Sequence, residues 1–131
     1  MIRRAMLVAG LVSMAGAGPA VSREPPSAAP LVGEWRVDLT SKPGAEPYYA
    51  VMTVKSVDGD RITGVFYDSP MEKGRITRAW GSVRFAFVTH DKNGGTYNTS
   101  GEFVDGRLIR GVTHALDRDF LSIWTADRKA P

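Results

Sequence analysis

Apolar and polar residues alternate with a period of two along most of this chain from residue 31 onward. In the first alternating segment Leu31, Trp35 and Val37 fall on one side, whereas Glu34 and Arg36 fall on the other. Successive side chains of a β-strand point to opposite faces of a sheet, so this pattern predicts a strand with one buried face. No segment beyond residue 31 keeps a helical period long enough to predict a helix.

Short turn signals separate the alternating segments. Asp58-Gly59, Asn93-Gly94 and Asp105-Gly106 are dipeptides typical of tight hairpins, and Ser69-Pro70 is expected to end the third strand. The predicted strands lie at residues 31–39, 48–57, 61–68, 74–80, 83–90, 97–104, 107–115 and 120–126. Because eight strands with short connections can close on themselves, we predict an all-β fold, an eight-stranded antiparallel up-and-down meander barrel.

Residues 1–20 have the pattern of a secretory signal peptide. Arg3 and Arg4 give the positive start, an apolar stretch follows, and small residues at Ala17 and Ala20 provide cleavage positions. The apolar stretch is shorter than the roughly 20 residues needed to cross a bilayer, so we expect no stable membrane insertion. The leader therefore predicts a bacterial protein that is periplasmic or secreted.

Residues 21–30 hold three prolines and little apolar surface, so they are predicted to form a flexible arm before a barrel domain at 31–131. Arg3 and Arg4 leave with the leader, and the 17 basic residues fall to 15 against 14 acidic ones. Scattered charges of nearly balanced sign lack the clustered basic surface of a nucleic-acid binder. The chain has no cysteine, which excludes disulfides and thiolate metal ligands.

Three short motifs resemble those of calycins, the meander barrels that include lipocalins and avidins. Gly33-Glu34-Trp35 resembles the Gly-x-Trp that opens their first strand. Segment 58–69, from its Asp-Gly turn to its Phe-Tyr-Asp-Ser end, is similar to the second hairpin of bacterial avidins, and segment 100–103 is similar to their Ser-Gly-Gln-Tyr. The resemblance implies a barrel with a ligand pocket at one mouth. It also implies that Arg128 packs on Trp35, with Gly33 and Trp35 in structural roles.

Most residues that hold biotin in avidins are replaced in this chain. Val37 stands where the family has an Asn, and Thr99 and Tyr97 stand where it has an aromatic wall and a Thr. Tyr67 and Ser69 match the family's Tyr and Ser. Each missing hydrogen bond to a buried polar ligand costs about 1–3 kcal/mol, so we expect no tight biotin binding.

The abundance of aromatic residues favours a pocket for a small apolar or aromatic molecule, because such pockets are mostly apolar with a few placed polar groups. The predicted ligand-binding residues are Tyr67, Ser69, Trp80, Phe87, Tyr97, His114 and Trp124. The alternative is that the aromatic side chains only fill the barrel, since an eight-stranded interior is just wide enough to be packed by side chains.

Candidate catalytic and metal-binding groups are few. His90 and His114 are the only histidines, and their surroundings lack the spacing of a zinc site, so we expect no metal and no cofactor. Neither a cysteine nor a Gly-x-Ser-x-Gly motif is present to supply a nucleophile. We therefore expect a non-enzymatic ligand-binding barrel. The alternatives are a protease inhibitor that acts through residues 22–30 and a structural envelope protein; the oligomeric state stays open.

Overall fold

The computed structural model describes residues 26–128, so the predicted signal peptide, residues 21–25 of the arm and residues 129–131 lie outside the described residues. Nine strands make up most of this range: β1 (Gly33–Asp38), β2 (Tyr49–Asp58), β3 (Arg61–Phe66), β4 (Ser69–Pro70), β5 (Glu72–Thr77), β6 (Val83–His90), β7 (Thr96–Val104), β8 (Leu108–Ala115) and β9 (Phe120–Arg128). Three short 3-10 helices lie at Ala29–Leu31, Ala79–Gly81 and Leu116–Arg118. Between residues 26 and 128, no helix is long and apolar enough to span a membrane.

The strands form one antiparallel sheet that closes on itself. The first strand, β1, pairs with both β2 and β9, and the order continues through β8, β7, β6 and β5 to β3, which pairs back to β2. Only Met71 separates β4 from β5, and together they occupy a single position in the barrel wall, so the barrel has eight strands. The predicted eight-stranded up-and-down barrel is confirmed.

The third and fourth strands end earlier than the sequence predicts. The third strand ends at Phe66, and Tyr67 and Asp68 form the hairpin turn with φ angles of 51° and 67°. Ser69 does not end that strand, because it pairs back to Phe66 as the first residue of β4. Positive φ at both central turn residues is usually supplied by Asn-Gly, so Tyr-Asp gave no turn signal. The fourth strand ends at Thr77, three residues before the predicted end.

The first described residues cover one end of the barrel. Ala28 is buried, and Ala29–Leu31 forms a 3-10 helix where the sequence predicts an arm followed directly by a strand. The Arg128 guanidinium donates hydrogen bonds to the backbone carbonyls of Pro30 and Val32. Residues 28–30 therefore belong to the folded barrel, and the predicted arm is three residues too long.

Trp35 is the centre of this closed end. Its indole Nε1 donates to the Leu31 carbonyl over 2.8 Å, and Phe103 meets its ring edge-on at 5.7 Å. The Arg128 guanidinium lies 4.1 Å from the Trp35 ring centroid, which confirms the predicted cation-π contact. Gly33 permits this approach, because a Cβ there would lie 2.8 Å from Arg128 Nη1.

The middle of the barrel is packed by aromatic rings lying on glycines. Phe85, Gly101, Gly111 and Trp124 are successive register partners across β6, β7, β8 and β9. A Cβ would lie 2.4 Å from the Phe85 ring at Gly101, and 2.1 Å from the Trp124 ring at Gly111. Two adjacent glycines thus leave space in the wall for two large rings, which gives the close packing of a protein interior. Packing by side chains fills this part of the barrel, as the alternative interpretation expects.

Candidate functional site

The end opposite Trp35 is the candidate site. The loop at residues 39–48, the turn at 67–68, the loop at 91–95 and the loop at 116–119 all lie at this end, because successive strands run in opposite directions. We call this end the mouth.

Half-exposed aromatic side chains form the rim of the mouth. Inward-facing positions alternate along β2 and β9, and Tyr48 and Phe120 continue these two series beyond the buried core. The ring of Tyr48 meets that of Tyr67 in an edge arrangement with centroids 6.0 Å apart. Ser69 is partly buried opposite Phe66, at the start of the next strand. The rim therefore contains Tyr67 and Ser69, which are predicted ligand-binding residues. It also contains Tyr48 and Phe120, which are not among the predicted site residues.

A cluster of three aromatic rings forms the floor below this rim. Phe66 lies 5.5 Å from Phe87 and 5.4 Å from Trp124, measured between ring centroids. All three side chains are buried. The predicted residues Phe87 and Trp124 are thus brought together through Phe66, but they belong to the packed core and are almost fully covered.

Three buried threonines on β6, β7 and β8 lie beside the aromatic floor. Thr113 Oγ1 accepts a hydrogen bond from Trp124 Nε1 over 3.0 Å and lies 2.9 Å from Thr99 Oγ1. Thr89, one strand away, is buried as well. Neither Thr89 nor Thr113 is among the predicted site residues, although their alternation with apolar residues indicates an inward orientation.

Tyr97 is tied to the loop that leads from β6 to β7. Its hydroxyl donates to Asp91 Oδ2 over 2.6 Å, and Asp91 Oδ1 accepts from the backbone N–H groups of Asn93 and Gly95. The hydrogen bond from the Tyr97 hydroxyl is the largest cause that holds the pKa of Asp91 below its usual value, and the bond from the Gly95 N–H is the second. The bond between Tyr97 and the Asp91 carboxylate also raises the pKa of Tyr97. This loop and Leu116–Arg118 enclose a polar concavity of about 310 Å³.

The Asp91–Tyr97 bond gives a pH-dependent prediction. We expect Tyr97→Phe to lower the melting temperature at neutral pH, because the carboxylate loses its hydroxyl donor. A lowered carboxyl pKa contributes stability above the unfolded value of about 4, and that contribution disappears as pH falls through the folded pKa. A raised tyrosine pKa contributes stability below about pH 10, which is lost as pH rises through the folded pKa.

Thermal unfolding of wild type and Tyr97→Phe between pH 2.5 and pH 10.5 measures this dependence. The difference in melting temperature should be largest near neutral pH and smaller at both extremes. Tyr49→Phe, on the outer face, serves as the control and should show no such profile. A difference that stays constant across the whole range would contradict the assignment.

Trp80 and His114 do not reach the mouth. Their predicted place in the ligand site is therefore wrong. Trp80 lies in Ala79–Gly81 between β5 and β6, at the closed end, and it is fully exposed with a φ of 64°. His114 faces outward because its neighbour Thr113 faces inward. It lines an outer groove of about 360 Å³ that also includes Val112.

The mouth offers aromatic surface and neutral hydroxyl groups, and Asp91, Asp117 and Arg118 lie together at its edge. Both histidines lie on the outer side of the barrel, away from these hydroxyls. No group of three or more His, Asp or Glu side chains within residues 26–128 is arranged to hold a metal ion. No family model matches the chain, and no curated protein or solved structure matches it either.

Proposed function

We propose that this protein is an exported, non-enzymatic barrel of the calycin type, similar to avidins, that binds a small apolar or aromatic molecule at its mouth. One observation carries the proposal. The inward-facing positions of β2 and β9 are buried in the middle of the barrel, and at the rim these positions are aromatic and half exposed. Tyr48 and Phe120 leave about half of their surface uncovered at positions that point over the floor.

This arrangement favours binding because the protein has already ordered the groups that a ligand would contact. Tyr48 and Tyr67 hold each other in an edge contact, and the Leu39 N–H donates to the Tyr48 carbonyl, which extends the pairing of β1 with β2. An apolar molecule on the floor would bury these rings together with its own surface. Aromatic pairs of this kind contribute about 0.5–1.5 kcal/mol beyond the burial of area.

The closed end supports the calycin part of the proposal. A basic residue of the last strand covers the tryptophan of the Gly-x-Trp motif, as the resemblance to calycins implies. Biotin is not the proposed ligand, because Val37 is a buried apolar residue in place of the Asn that the resemblance calls for. The floor therefore suits an apolar molecule better than a ureido group.

The alternative of a protease inhibitor depends on residues that precede Ala28. Ala28 is buried at the closed end, and the Arg128 guanidinium donates a hydrogen bond to the Pro30 carbonyl. No contact of the described residues favours insertion of this segment into a partner. The mouth lies at the opposite end and carries the exposed aromatic surface, so it is the better-supported site.

Tyr48 and Tyr49 provide a matched test of the proposal. They are adjacent and almost equally exposed, at 48% and 49%, but Tyr48 meets Tyr67 at the rim, whereas Tyr49 lies under Arg36 on the outer face. We expect Tyr48→Ala to weaken binding of the fluorescent neutral probe N-phenyl-1-naphthylamine about fivefold to tenfold, which corresponds to about 1–1.4 kcal/mol. Tyr49→Ala should leave the affinity unchanged.

Fluorescence titration gives these affinities, and the probe should also raise the melting temperature of the wild type, because a ligand of the native state stabilises it. The proposal fails if neither this probe nor other small aromatic molecules bind. It also fails if Tyr49→Ala weakens binding as much as Tyr48→Ala does.

A further inference from the structure

Thr89 carries a buried hydroxyl group that lacks a partner among the described residues. The residue is 3% exposed and faces inward from β6, at the level where the floor meets the rim. No hydrogen bond to its side chain is formed by any residue between 26 and 128. A buried polar group without a partner has lost the hydrogen bonds that water gives it in the unfolded chain, and such groups are rare in folded proteins.

The Thr99–Thr113 pair also has a hydrogen-bonding group without a partner among the described residues. The Trp124 indole, Thr99 and Thr113 together have three N–H or O–H donors, but they form only two hydrogen bonds with one another. One threonine hydroxyl proton is therefore left without an acceptor among residues 26–128. Either hydroxyl can be the donor in the bond between the two threonines, and both residues are buried, so bulk water does not supply that acceptor.

The two unsatisfied groups are neighbours on the inner face of the barrel. Phe87 pairs with Thr99 and Thr89 pairs with Tyr97, which places Thr89 and Thr99 diagonally across β6 and β7. Diagonal positions of this type lie about 7–8 Å apart, with the Cβ atoms somewhat closer, and both side chains point to the same face of the sheet, so one ligand group between the two strands can be reached from both sides. Phe87, the register partner of Thr99, belongs to the aromatic floor.

We propose that Thr89 and the Thr99–Thr113 pair bind a single uncharged oxygen atom of the ligand. The inference rests on the proposed function and specifies the ligand class, which is a small aromatic molecule with one hydroxyl or carbonyl oxygen. The spare threonine proton donates to this oxygen, and the Thr89 hydroxyl accepts the proton of a ligand hydroxyl or donates to a carbonyl. The rest of the molecule covers the floor beneath Tyr48 and Tyr67.

The charge of the surrounding side chains requires a neutral oxygen. The inward-facing positions of β6, β7 and β8 carry only apolar, glycine, threonine and tyrosine residues. A buried carboxylate or phosphate needs a cation to compensate its loss of hydration, and none faces inward on these strands. At the edge of the mouth, Arg118 lies with two carboxylates, Asp91 and Asp117, so no excess of positive charge there favours an anionic ligand.

A pair of probes that differ by one oxygen atom tests the inference. We expect 2-naphthol to bind at least tenfold more tightly than naphthalene at neutral pH, measured by fluorescence titration or calorimetry. Thr89→Val keeps the side-chain shape and removes the hydroxyl, so it should reduce this ratio at least fivefold while the affinity for naphthalene stays the same. Thr125→Val, on the exposed outer face of β9, is the matched control and should change neither affinity.

The outcomes separate this inference from the proposed function. If neither probe binds, the proposed function itself fails. If both bind equally well and Thr89→Val and Thr99→Val leave the ratio unchanged, the mouth binds aromatic molecules but the hydroxyl groups do not select the ligand. The inference also fails if Thr89→Val lowers the melting temperature of the ligand-free protein by several degrees, because the hydroxyl would then already have a structural partner.

Discussion

Replacing Gly111 with alanine is expected to lower the free energy of unfolding by about 3 kcal/mol, at the upper end of the usual cost of overpacking. The new Cβ would lie 2.1 Å from Cζ2 of Trp124, so the ring has to move. It cannot move freely, because its Nε1 donates to Thr113 and its other face meets Phe66. Urea-induced unfolding followed by circular dichroism measures the change.

A second substitution shows whether the ring is the cause. Trp124→Leu removes the clash, so the double variant Gly111→Ala/Trp124→Leu should be more stable than the sum of the two single changes predicts, by about 1–3 kcal/mol. Val112→Ala, the outward-facing neighbour, is the control and should cost about 0.5 kcal/mol or less. A cost below about 0.5 kcal/mol for Gly111→Ala would contradict the packing of the ring on the glycine.

Replacing Trp35 with alanine should be the most destabilising single change, at about 3–5 kcal/mol, because the side chain is fully buried and closes one end of the barrel. The change removes the ring beneath Arg128, the edge contact with Phe103 and the donor to the Leu31 carbonyl. The same urea experiment measures it. We expect the variant to remain folded only at reduced temperature if the wild type has ordinary stability.

Trp80 supplies the matched control for this change. It is a tryptophan at the same end of the barrel, but its side chain is fully exposed and buries nothing. Trp80→Ala should therefore change the free energy of unfolding by about 0.5 kcal/mol or less. Equal effects of Trp35→Ala and Trp80→Ala would contradict the role assigned to Trp35.

The closed barrel was predictable because the alternation of apolar and polar residues specifies both the strands and their inner faces. Trp35 and Val37 in β1, like Phe85 and Phe87 in β6, are buried as their positions predict. The contact between Arg128 and Trp35 came from a family resemblance and is present. The turn at Tyr67 and Asp68 was not predictable, because its positive φ angles are imposed by the strands on either side rather than by residue type.

The candidate site was predictable only in part. Phe87 and Trp124 do face inward, but the sequence does not show that both are covered by Phe66. His114 was assigned to the site for its chemistry, although its alternation with Thr113 places it outside. The unsatisfied hydroxyl groups depend on distances between strands, and no sequence pattern gives those.

The packed interior and the proposed ligand site lie in different parts of the barrel. Rings on glycines fill the middle, where Phe85 and Trp124 lie, and the closed end is sealed around Trp35. Uncovered aromatic surface remains at the mouth. The proposed ligand site is therefore shallow, and we expect its affinity to depend on the rim and on the hydroxyls just below it.

The most direct test of a ligand site at the mouth is an NMR titration of the ¹⁵N-labelled protein with 2-naphthol. We predict that the largest amide shift changes fall on Tyr48, Tyr67, Thr89 and Phe120, and that residues of the closed end such as Trp80 do not respond. Changes confined to the outer groove around Val112, or no saturable change at all, would contradict the assignment of the mouth as the binding site.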